Sequence, residues 1–136
     1  MATPEIYAIN LFGMGYERAR LEAAALNIAN ANIISASKEG GFKPVGVTVD
    51  QLPTAFADYL QMADAVHISA KPGPTSQAIF KPDHPLAGND GFVFSAKVNL
   101  AAEMITLNSA TRAYEANVKA FNTYKEMAAK AMEIGK

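Results

Sequence analysis

From Asn99 to Ile134 the chain contains neither proline nor glycine. Within that stretch Leu100, Met104, Leu107, Thr111, Tyr114, Val118, Phe121, Lys125, Ala128 and Met132 recur at alternating steps of four and three. That spacing, held over five heptads, keeps one side of a helix turned towards a neighbour. Asn99 has the side chain to cap such a helix, and Gly135 stands where it should stop. At 1.5 Å per residue the helix would be roughly 50 Å long. A chain of 136 residues makes one ordinary domain, whose core cannot cover a helix of that length. The stripe must therefore meet another long helix or another subunit.

A second long helix is predicted at the front. Thr3 reads as its cap, Pro4 as the first helical residue, where a missing N–H costs nothing, and Glu5 as a favourable charge at the positive end of the dipole. It should run to Asn32, with Tyr7, Leu11, Met14, Arg18, Leu21, Ala25, Ile28 and Asn32 in the same four-three alternation. Gly13 and Gly15 each cost about 1 kcal/mol relative to alanine in a helix, so they mark a weak point or a place where another backbone comes very close.

Between the helices the pattern changes. All prolines but Pro4 lie in residues 33–96. "SASKEGG" at 35–41 and "KPGPTS" at 71–76 are turn-forming, and "PVGVTVD", "AVHISA", "QAIF" and "GFVFS" read as short strands. "LPTAFADYLQMA" reads as a loop or short helix. The expected fold is mainly α with a small β-rich insert: an N-terminal helix in residues 1–32, the insert in 33–96 and a C-terminal helix in 97–136. The two long helices pack as one coiled-coil-like stalk.

Twelve basic residues against thirteen acidic ones leave a net charge of -1, too little field to attract nucleic acid. The N-terminal 32 residues and the insert carry net -1 and -2 and residues 97–136 carry net +2, so the ends are mildly complementary. The absence of cysteine removes disulfides, thiolate catalysis and thiolate metal ligands. No basic residue occurs among the first seventeen and no apolar run reaches the ~18 residues of a membrane span. Any export would then use a route other than a cleaved signal.

His67, Asp83, His84 and Asp90 are the residues with most chemical potential, but they lack the spacing of a zinc-binding H-E-x-x-H helix or of paired catalytic carboxylates. "DHP" at 83–85 and "GNDG" at 88–91 read as turns. No catalytic residue, cofactor or metal ligand is expected. The aromatic residues fall at helical spacings instead of alternating with basic ones, which disfavours base stacking. Glu115 with Lys119 and Glu126 with Lys130 are placed for i, i+4 pairing. Asn27, Asn30 and Asn117 read first as local caps or solvated positions, and secondly as interhelical hydrogen bonds that fix register. Thr111 and Lys125 on the last stripe favour a contact between subunits over a sealed core, where lysine is rarely tolerated.

Three segments together resemble the flagellar basal-body rod proteins, most closely the proximal-rod FlgC type. They are "GMGYERARLEAAALNIANANI", "DHPLAGNDGFVFSAKVNLAAEM" and "SATRAYEANVKAFNTYKEMAAKAMEIGK". The likeness covers roughly residues 6–45 and 79–136 and is most specific at Arg112 to Val118. It implies a non-enzymatic structural subunit, assembled through its terminal helices with other rod proteins, basal-body components and copies of itself. It also implies passage through the flagellum's own export apparatus, and no nucleic acid or small-molecule substrate. The residues expected at the assembly interface are Leu11, Met14, Leu21, Ile28, Asn30, Leu100, Met104, Leu107, Tyr114, Asn117, Val118, Phe121 and Met132. In a dilute monomer such stripes should fray and become ordered only when neighbours bury them. The competing reading is a small helical binding module that lays its last helix in a partner's groove.

Overall fold

The computed structural model describes residues 3–50 and 65–135, with side chains from residue 6 onwards. The capping roles read for Thr3 and Glu5 and the segment "LPTAFADYLQMA" lie outside these side chains and residues. Two helices, α1 (Thr3–Asn30) and α2 (Leu100–Ile134), enclose five short strands: β1 (Ile34–Ser35), β2 (Val45–Val49), β3 (Val66–Ala70), β4 (Ser76–Phe80) and β5 (Phe92–Ala96).

α2 starts as its cap requires: Asn99 has extended backbone angles, and its Oδ1 accepts a hydrogen bond from the Ala102 N–H at 3.1 Å. It ends at Ile134, with Gly135 at φ -85°. The glycine therefore closes the helix without the left-handed turn that glycine often supplies. α1 stops two residues before the expected Asn32, where its ladder loosens into turns (Ala31 N–H to Ile28 O, Ile33 N–H to Asn30 O) and the β-branched pair Ile33-Ile34 begins extended chain.

The helices run antiparallel. Tyr7 meets Phe121 and Tyr124, Gly13 faces Asn117 and Arg20 reaches Ser109, so each step forward on α1 matches a step back on α2. By this register roughly two turns of α2 run past the start of α1.

The strands form two antiparallel units. In the sheet of order β1-β5-β4, β5 is central, which is why Val93, Ser95 and Ala96 are buried. Ser95 Oγ donates to Ala31 O and ties this sheet to the end of α1. β2 and β3 form a separate pair, Val45 opposite Ala70 and Val49 opposite Val66, that packs along α1. The four expected strands are present to within a residue or two, whereas β1, absent from that expectation, ends on the first residue of the turn-forming stretch. Gly91 at φ +71° completes the β4–β5 connection, and a Cβ there would stand 2.9 Å from the Phe80 ring.

Candidate assembly surface

The seam between the helices differs by about one position from the stripes read in the sequence. Ala8, Ala23, Ala24 and Asn27 are buried on α1, as are Glu103 and Ala110 on α2. The α2 residues turned inwards continue through Asn117, Phe121, Tyr124 and Ala128, all half-buried. Leu107 and Phe121 of the expected stripe belong to this packed side, and Met14, Leu21, Ile28, Asn30, Asn117 and Val118 are half-buried. Leu11, Leu100, Met104, Tyr114 and Met132 are exposed. So are Thr111 and Lys125, which lie off the seam within the chain; Thr111 Oγ1 donates to Leu107 O. The physical reason is side-chain size. Alanine lets two helices come close, so the contact line is taken by small residues and the large apolar ones flank it.

Gly13 is one instance of that closeness: a Cβ there would lie 3.1 Å from Asn117 Nδ2. Further along, the Tyr7 ring lies edge-on to Phe121 at 4.8 Å and to Tyr124 at 5.6 Å, a geometry that adds roughly 0.5–1.5 kcal/mol per pair beyond burial. Arg20 bridges to Glu17 at 2.8 Å and donates to Ser109 Oγ at 3.3 Å.

The other end of the pair is fastened to the insert. Asn27 is fully buried; its Nδ2 donates to Val45 O and its Oδ1 accepts from Val45 N–H, both at 2.8 Å. Val45 turns both groups away from β3, so the amide stands in for a neighbouring strand. This is neither a local cap nor an interhelical bond. Asn30 does bond locally, to Leu26 O. Lys71 lays its stem over Gly46 and places Nζ 2.6 Å from the carboxylate of Glu103, whose side chain is 10% exposed against 46% for the lysine.

The histidines stand on different hairpins: His67 pairs with Asp50 at 3.0 Å on β2–β3, and His84 Nδ1 accepts from Leu86 N–H in the turn after β4. Glu115 with Lys119 and Glu126 with Lys130 do not close into ion pairs among the described residues. No helix among those residues is long and apolar enough to cross a membrane.

What remains is a helix pair whose outer faces carry large unsheltered apolar groups. Leu11 is 59% exposed, Ile105 70%, Met132 73% and Ile134 86%. Exposed apolar side chains of this size on both helices make the helix pair the candidate assembly surface. Comparison with known proteins identifies the kind of assembly. Residues 89–134, which hold β5 and α2, match the family described as Flagellar basal body rod FlgEFG protein C-terminal. Over 137 aligned residues the chain is 31% identical to the flagellar basal-body rod protein FlgC of Escherichia coli O6:H1, covering 99% of both chains. The chain belongs to the FlgC family of flagellar basal-body rod proteins. The protein of that name from Salmonella typhimurium is 29% identical over 99% of both chains, and that from Bacillus subtilis is 31% identical over 88% of this chain and 89% of its own. As a FlgC-family member the chain is a structural subunit of the basal-body rod and not an enzyme.

Sequence reasoning missed Ala23, Ala24, Asn27, Glu103 and Ala110 as the buried set. The run "AAALNIAN" held part of the signal, because three successive alanines on a helix are a place for something to approach closely.

Proposed function

We propose that the two helices act as a coiled-coil-like stalk through which the chain joins the rod, packing against copies of itself, other rod proteins and further basal-body components. Residues 33–96 are the brace carried on that stalk. The supporting observation is the exposure of large apolar side chains on both helices, strongest where α2 outruns α1 at Met132 and Ile134. A soluble subunit leaves such groups in water only until a partner takes them. Leu11, Leu100, Met104, Tyr114 and Met132 are the expected interface residues free to make such contacts, with Met14, Leu21, Ile28, Asn30 and Val118 at their margins, while Asn117 faces Gly13 on the inner seam. Leu107 and Phe121 hold the helix pair itself together. Family membership favours this reading over a closed binding module, and the same kinship supports delivery by the flagellar export apparatus.

The test is to isolate basal bodies from source cells with and without the gene, image them and search the intact ones for peptides of this chain. Peptides present in the intact rods, and no rod without the gene, are expected. Normal rods lacking the protein would contradict the assignment.

A further inference from the structure

The outward side of α1 carries Leu11, Gly15, Arg18, Glu22, Ala25 and Ala29, all exposed. Gly15 is not explained by the chain's own packing, because a Cβ there would meet nothing within 4 Å; its helix cost of about 1 kcal/mol has no return inside the subunit. Arg18 and Glu22 form no ion pair among the described residues. Their order, base before acid, is the weaker one for a pair within a helix. On the far side of the helix pair α2 presents Met104, Asn108, Arg112, Glu115 and Lys119, also exposed, and Arg112 and Glu115 are equally unpaired. A shallow groove bounded by Met104, Ile105, Asn108, Ser109 and Arg112 opens on this side.

The two faces match each other in antiparallel order. Setting Arg18 against Glu115 brings Glu22 against Arg112, Ala25 against Asn108 and Ala29 against Met104. Opposite charges meet, and the small residues of α1 lie opposite the larger ones of α2. Gly15 falls level with Val118 and Lys119, where its missing side chain lets the second helix come close.

We propose that the outward face of α1 in one copy receives the outward face of α2 in a second copy, in this register. The inference rests on the assembly reading above and adds its partner and alignment. The contact is head-to-tail, each copy using one face to give and the other to receive, so it propagates instead of closing as a pair. Within the subunit Gly13 is level with Asn117; between copies the alignment is about three residues further along, so successive copies rise by about 5 Å along the helix axis.

The chain has no cysteine, which makes the test direct. The full-length chain with Ala25→Cys and Asn108→Cys replaces the wild type in source cells, and isolated basal bodies are oxidised and resolved by size. The two thiols lie on opposite sides of one helix pair, beyond disulfide reach within a subunit. A ladder of dimers, trimers and larger species is expected. Adding Arg18→Glu or Glu115→Arg alone should lower its yield several-fold, and adding both should restore it, a rescue that a general loss of folding does not give. Gly15→Ala should lower the ladder while leaving the melting temperature of the purified chain unchanged or higher. Cross-linking that stops at dimers, or a chain that enters the basal bodies without cross-linking, would overturn this register and leave the rod assignment standing. Absence of the chain from basal bodies would overturn the assignment itself.

Discussion

The two ends of the helix pair are built differently. Where α1 finishes and α2 begins, Ala23, Ala24, Asn27, Glu103 and Ala110 are buried, and β2, β3 and the three-stranded sheet are fastened to the helices by side chains that each satisfy a specific partner. At the other end α2 continues past α1, with Met127, Met132 and Ile134 in solvent. The first end has the contact density and satisfied polar groups that set the cooperative stability of a small domain, whereas the second has the features of a locally opening segment. In a polymerising subunit this division has a use. Shape is fixed at one end, and the other is completed by a neighbour.

The strongest test of this contrast is Asn27→Ala, which leaves two backbone groups of Val45 without partners and opens a small cavity. Loss of roughly 2–4 kcal/mol is expected in urea unfolding of the purified chain. A loss below 0.5 kcal/mol, taken as about the scatter of a surface substitution, would mean that the junction is not where the stability resides. Tyr7→Ala, near the start of α1 and so on the side of the outer end, removes both edge-on ring contacts and should cost about 2 kcal/mol by the same measurement. Lys71→Met uncovers a nearly buried carboxylate but removes a half-exposed partner, so about 1–2 kcal/mol is expected, smaller in high salt only if the pair is screened by solvent. Met132→Ser should change the melting temperature of the monomer by no more than a degree or two. In a motility assay on soft agar it should nevertheless reduce swimming, because its role lies in the assembled rod. Equal swimming would remove Met132 from the interface.

Element boundaries were legible in the sequence because they rest on local chemistry. Asn99, Gly135 and the proline-free stretch between helix ends define α2, and alternation bounded by turn residues defines β2 to β5. The packed seam was less legible. Counting apolar residues favours leucine and methionine, and here the contact line is taken by alanine, by Asn117 against Gly13 and by Glu103, so the stripe was read one position off. Asn27 was out of reach for another reason. Its partners belong to a residue eighteen positions away, and nothing local distinguishes a clamp on a strand from the back-bonded Asn30 three residues later. The exposed residues Leu11, Met104 and Met132 were legible because a long stripe exceeds what a small core can cover, whatever its register.

Amide hydrogen exchange on the purified full-length chain, followed residue by residue along α2, is the most direct measurement of the central contrast. Amides between Glu103 and Ala113 should exchange only through global unfolding, and those beyond Met127 should exchange faster by orders of magnitude in the free chain and become protected in isolated rods. Uniform protection of α2 in the free monomer would contradict the account, since a helix already complete at both ends would have no segment left for a neighbour to order.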